Sequence, residues 1–301
     1  MFNRNLRKTF FFMFFSLLFS AGALGLLYLA GAKMPATVED MLLLLAAYSF
    51  GPLLSVFLVE KVIYKEDLLP VLGLNFKFNV PLIFAFVIPL AIVFGAFGVG
   101  LLMPGTSYTP NLMGEIQRQF GEVNQEAFLL LQKQIAGSLL HPVWQDVIMG
   151  IVAGATIVAA VAFLSVSSFA GFLFKELHYL KFWNAAYLTG ILAAIWLTPL
   201  LYVIHLYSGY PVTNLALICM SVIMAAPILI FLKIKAKNIF VPSIAAGVLY
   251  WSSPVAVKMI FGGNILHIGV AGLAGIIAIA VITLLVFLYN RFMTQSIERI
   301  Y

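Results

Sequence analysis

Eight long apolar runs divide the chain, at roughly 10–31, 41–60, 80–103, 145–173, 184–206, 215–232, 240–258 and 265–289. Each is continuous rather than alternating with period two, and most reach the roughly 20 residues that carry a helix across a bilayer. Lipid offers the backbone no hydrogen-bond partners, so such segments satisfy their own amides as helices. The pattern predicts an all-α polytopic membrane protein, about eight transmembrane helices in one bundle, with a single transmembrane domain over 1–301. The longest polar segment, 104–141, separates the third and fourth runs. Its apolar positions Leu112, Ile116, Phe120, Phe128, Leu131 and Ile135 recur at helical spacing. They predict an amphipathic connector lying at the membrane interface. Gly51-Pro52, Pro89, Pro199, Pro227, Pro242 and Pro254 fall inside the runs and predict kinks.

Composition agrees with that pattern. The chain is 63% hydrophobic and 9% charged, against about a quarter charged in soluble domains. The net charge of +6 points to no nucleic acid, because the basic residues are placed as membrane topology requires. With the N-terminus inside, Arg4, Arg7, Lys8, Lys61, Lys65, Lys77, Lys175, Lys181, Lys233, Lys235, Lys237, Arg291 and Arg299 are cytoplasmic. Only Lys33, Arg118, Lys133 and Lys258 fall on the other side. This bias predicts a multi-pass protein of a bacterial or archaeal cytoplasmic membrane, with both termini cytoplasmic. The first apolar run is about twice a signal-peptide core and is expected to stay as a helix. Cys219, the single cysteine, reads as packing filler.

Chemistry is sparse along the spans. All eleven acids fall in loops or near span ends, and no HExxH, GxSxG or Gly-rich phosphate loop is present. Of the four histidines, His178 lies in a cytoplasmic turn, while His141, His205 and His267 lie on the outer side. Those three with Asp146 offer one arrangement for a metal; the alternative is that they cap and border the spans. Ser165, Ser167 and Ser168 offer a nucleophile for an intramembrane serine hydrolase. Small hydroxyl residues are also ordinary packing material between membrane helices, and no histidine lies at a matching depth.

The segment 156–211 carries a resemblance. It runs Thr156-Ile157-Val158-Ala159-Ala160-Val161-Ala162-Phe163-Leu164-Ser165-Val166-Ser167-Ser168-Phe169-Ala170-Gly171-Phe172-Leu173. Phe182-Trp183-Asn184-Ala185, Leu188-Thr189-Gly190, Ile195-Trp196-Leu197-Thr198-Pro199-Leu200 and Gly209-Tyr210-Pro211 follow. Lys237-Asn238-Ile239-Phe240-Val241-Pro242-Ser243-Ile244-Ala245-Ala246-Gly247 and an upstream Leu72-Gly73-Leu74-Asn75 complete the set. This framework resembles the CAAX protease and bacteriocin-processing enzyme family of intramembrane metalloproteases, which includes the type II CAAX-prenyl endopeptidases, over about 70–260.

The resemblance implies an eight-span fold and a site built from a Glu pair, an Arg, two His and an Asn. The Glu pair aligns with Ser165 and Val166, the Arg with Ala170, the His residues with Leu197 and Ala246, and the Asn with Tyr250. Every one of those positions is replaced, so the metal site the family implies is not preserved and no cofactor is expected. The expectation is a catalytically inactive protein of this type that binds a membrane-protein segment, a lipidated peptide or a lipid as partner or regulator. An intramembrane endopeptidase with a non-standard site is the alternative, followed by a small-solute transporter.

Overall fold

The apolar runs fold as the helices their continuity predicts. A computed structural model describes residues 2–30, 38–68, 80–110, 139–208 and 212–294, with the isolated positions 112, 129, 133 and 137. The body of the interfacial connector, Leu72 to Asn75 and Gly209 to Pro211 lie outside the described residues. Among the described residues, eight helices are long and apolar enough to cross a membrane. The protein is a multi-pass, all-α membrane protein.

Helix α1 spans Phe2–Leu29, and α2 spans Val38–Phe57 and runs on into a π-helical turn, Leu58–Ile63. Helix α3 is Pro81–Gly100. The span Pro142–Glu176, here α4, is interrupted twice, by π-helical turns at Gly154–Val158 and Ser167–Leu173. Helices α5, Phe182–Ser208, and α6, Val212–Ala236, follow. Helix α7 is Phe240–Ser252, and α8, Leu273–Tyr289, continues as a π-helical turn to Thr294.

Local chemistry fixes several of these ends. His141 accepts from the Val143 N–H through Nδ1 at 3.4 Å, and Pro142 takes the first helical position, where its missing N–H costs nothing. Asn238 Oδ1 accepts from the Phe240 N–H at 2.8 Å and opens α7. The last helix starts later than the apolar run beginning at 265. Residues 264–272 form turns instead, closed by Leu273 N to Leu266 O and Ala274 N to His267 O, both 2.9 Å. Gly269 holds a positive φ of 79° within them, which ends helical continuity at little steric cost.

Helix α4 is the axis of the bundle. It packs on α2 and α7, and its last turns also reach α1, α5 and α6. The α4–α7 crossing is set by glycine: a Cβ on Gly247 would meet Ala159 N at 2.7 Å, and one on Gly154 would meet Val248 Cα at 2.8 Å. The α1–α2 pair uses the same device, since a Cβ on Gly51 would meet Ser20 N at 2.7 Å. Small residues let backbones touch, and dispersion then holds helices that gain no hydrophobic energy from leaving lipid. At one end, Thr106–Tyr108 pairs antiparallel with Ile260–Gly262 in a short two-stranded ribbon. The opposite end carries Arg4, Lys8, Glu66, Glu176 and Lys233.

Candidate functional site

The second π-helical turn of α4 is buried at every residue from Ser167 to Leu173. A π turn shifts the ladder from i−4 to i−5 and leaves carbonyls around it poorly satisfied. Lys233 reaches across from α6 and donates to Ala170 O at 2.8 Å and Gly171 O at 3.2 Å. Its ammonium also lies 5.9 Å from the centre of the Phe174 ring. The position where the resemblance implies an Arg is Ala170, and a cation from another helix sits on its carbonyl instead.

The structure brings Val166, Ala170, Leu197 and Ala246 to one apolar cluster. Ser165 is on the same helix and donates to Ala162 O at 3.2 Å. Tyr250 does not join them; it is 42% exposed on the bundle surface. Ser167 and Ser168 turn back onto Leu164 O, at 3.4 and 2.9 Å, which is how hydroxyls satisfy themselves on an apolar helix. All three hydroxyls are thus engaged with carbonyls of their own helix.

Aromatic side chains occupy the space beside this turn. Phe169 packs edge-on against Phe12 of α1, centroids 5.4 Å apart, and against Trp196 of α5 at 5.2 Å. Trp196 in turn lies 4.8 Å from Tyr48 of α2. A ring of hydrogen bonds ties the same helices: Trp196 Nε1 to Ser20 Oγ at 2.8 Å, Ser20 Oγ to Tyr48 O at 2.8 Å, and Tyr48 Oη to Trp196 O at 2.5 Å. Pro199, inside α5, has no N–H for the carbonyl four residues back, that of Ile195.

At the ribbon end His141 and Asp146 are engaged separately. His141 Nε2 lies 3.0 Å from Pro110 O, and Asp146 pairs with Lys258 at 2.5 Å. The His205 side chain lies outside the described residues. Among the described residues, no group of three His, Cys, Asp or Glu is arranged to hold a metal. His178, at the other end, lies 2.6 Å from Lys175 O.

Sequence reasoning missed a cluster of charges at the end opposite the ribbon. Lys8, 3% exposed, donates from Nζ to Glu60 Oε1 and Glu66 Oε2, each at 2.9 Å, and stands 3.7 Å from Glu176 Oε1. Arg4 pairs with the other oxygen of Glu66. The Tyr64 ring lies beneath both cations, 5.4 Å from the Arg4 guanidinium and 5.0 Å from the Lys8 ammonium. Lys8 holds the Glu66 carboxyl below its ordinary range by hydrogen bonding, against the opposing effect of partial burial. The signal available in the sequence was weak, because each residue stands near a span end, where charge is ordinary.

A cavity of about 260 Å³ opens between α5, α6 and α8, lined by Trp183, Tyr187, Met224, Ala280, Thr283 and Phe287 among others. Trp183 packs against Phe287 at 5.6 Å and Tyr187 at 6.1 Å. Thr283 Oγ1 donates to Ile279 O at 2.8 Å. No protein-family model and no curated protein matches the chain.

Proposed function

We propose that this is a non-catalytic membrane protein on a CAAX-protease-like scaffold, and that it works by binding an anionic lipid. One contrast carries the reading. Of the positions aligned with catalytic residues, Val166, Ala170, Leu197 and Ala246 lie in or against the apolar cluster that holds Phe169, whereas a groove opens between α5, α6 and α8.

Within a bilayer an acyl chain gains little hydrophobic energy by moving from lipid to protein, so selection rests on shape and headgroup. Rigid aromatic walls from Trp183, Tyr187 and Phe287 supply shape. Lys181 stands two residues before Trp183, and Arg291 stands one turn beyond Phe287. Both are exposed and supply the basic rim that draws an anionic headgroup. The basic bias of this end orients it to the cytoplasm.

Photoactivatable phosphatidylglycerol and phosphatidylcholine, each reconstituted with the full chain, test the reading. Crosslinks are expected at the Trp183 and Phe287 segments, stronger for the anionic lipid, and lost in Ala280→Trp, which fills the groove. Labelling spread evenly over the helix surfaces, equal labelling by the two lipids, or a peptide co-purifying in the groove would overturn it.

A further inference from the structure

Two cations and three carboxylates converge where α1 meets the ends of α2 and α4: Arg4 and Lys8 against Glu60, Glu66 and Glu176. One negative charge is left over. Glu60 is fully buried, and while its Oε1 takes the Lys8 bond, its Oε2 is buried with no hydrogen-bond partner among the described residues. A carboxylate oxygen that is buried and receives no hydrogen bond is expensive to keep charged.

Backbone geometry presses a second carboxyl onto it. Beyond the π-helical turn Leu58–Ile63, Lys65 adopts a left-handed conformation with φ 57°. The Glu66 N–H then closes back on Glu60 O at 2.8 Å, much as a Schellman motif closes an α-helix. Both carboxyls therefore meet the one Lys8 ammonium, each at 2.9 Å. Two carboxylates so placed cannot both be ionised cheaply; one proton between them supplies the missing donor and removes the surplus charge.

We propose that this cluster is a proton-binding site, taking up one proton on Glu60 Oε2 and sharing it with Glu66. The groups facing Glu60 account for the stoichiometry. From α1 come Lys8 and, through Glu66, Arg4; from its own segment come Glu66 and Tyr64, while Lys61 turns away to pair with Asp67 at 3.5 Å. From α4 comes Glu176, whose neighbour Lys175 is exposed. Glu66, a third exposed, is the route between the site and water. Protonated, the cluster is neutral and latches α1 to α2 and α4; deprotonated, it holds one unbalanced buried charge. Ionisable groups at membrane depth are the usual places where protons are held.

Infrared spectra of the full chain in lipid, with isotope-labelled glutamate, test the proposal without any variant. At neutral pH a carbonyl band of protonated glutamic acid is expected, moved by the label and slow to exchange in heavy water. It should vanish in Glu60→Gln, and also in Glu66→Gln and Glu176→Gln, because removing any one carboxylate balances the charges. Lys8→Met should keep or strengthen it. A wild-type spectrum without that band at neutral pH overturns the proposal, as does a band that survives in both Glu60→Gln and Glu66→Gln. If Glu60→Gln does not fold, the label shift in wild type and the Glu66→Gln spectrum decide.

Discussion

Trp196 donates its indole N–H to Ser20 Oγ at 2.8 Å, joining residues 176 positions apart in the chain. Ser20 spends its own proton on Tyr48 O, and Tyr48 returns a bond to Trp196 O. Three helices are thereby closed into a loop in which each donor has a partner. Ser20→Ala leaves the buried Trp196 N–H with none. Orphaning such a group costs about 1–3 kcal/mol, and hydrogen bonds between membrane helices fall toward the low end. A loss of about 1–2 kcal/mol is expected, read as lower unfolding resistance in detergent. Trp196→Phe, which removes the donor along with the need for it, should cost less through this bond, though it also trims packing against Phe169.

The glycine crossings make a harsher prediction. A side chain on Gly247 would collide with the backbone of Ala159 and Gly154, which cannot yield as a flexible side chain can. Gly247→Val should force α7 away from α4 and abolish a stably folded, monodisperse protein on gel filtration. Gly22, with nothing within 4 Å of its missing Cβ, is the control. Gly22→Ala should behave as wild type or slightly better, since Ala favours helix by about 1 kcal/mol.

That difference between two glycines also marks how far the sequence can be read. Hydropathy alone placed all eight helices, because in lipid an apolar run of membrane length has few alternatives to helix. It placed the start of the last one at 265 rather than Leu273, since the turn around Gly269 is as apolar as the helix it precedes. Of the positions the resemblance singles out, Val166, Ala170, Leu197 and Ala246 fall in or against one large apolar cluster. Tyr250 is more exposed than they are, a difference that hydropathy does not show. The π-helical turns have no spacing of their own to reveal them. The charge cluster was hidden for a different reason. Lys8 lies 52 residues from Glu60 and 58 from Glu66, and only the packing of α1 on α2 and α4 shows that these span-end charges are buried together.

Acid should loosen that packing from the Glu66 side. Hydrogen bonding from Lys8, chiefly, holds the Glu66 carboxyl below its ordinary value of 4.5. A carboxyl depressed on folding stabilises fully above its unfolded value, and the contribution is lost as pH falls through the lower folded value. The contribution of Glu66 to stability at this end should therefore be level above about pH 5 and decline below it. Hydrogen exchange of the segment 58–67 would show the decline as faster amide exchange in acid. High salt should weaken the exposed Arg4–Glu66 pair far more than the buried Lys8–Glu60 pair. A segment whose exchange is equally protected in acid and at neutral pH, after correction for intrinsic rates, would remove Glu66 from any structural role.

Lys233 and the second π-helical turn of α4 form a pair whose dependence can be separated. The ammonium donates to Ala170 O and Gly171 O, carbonyls that an uninterrupted α-helix would bond internally. Lys233→Met keeps much of the side-chain length and removes the donors; Gly171 O keeps the Phe174 N–H, while Ala170 O loses the ammonium, at a cost of about 1–3 kcal/mol. Lys233→Arg, still a donor, should retain most of the stability. The decisive comparison uses a chain lacking Ser168, because removing one residue lets a π turn revert to α and re-form the i−4 ladder. In that background Lys233→Met should cost distinctly less than in the full chain. The shortfall is the coupling energy between the lysine and the turn, measured as a double-mutant cycle by chemical denaturation in detergent. Equal costs in the two backgrounds would mean that Lys233 contributes through packing on Phe174 rather than by capping the turn.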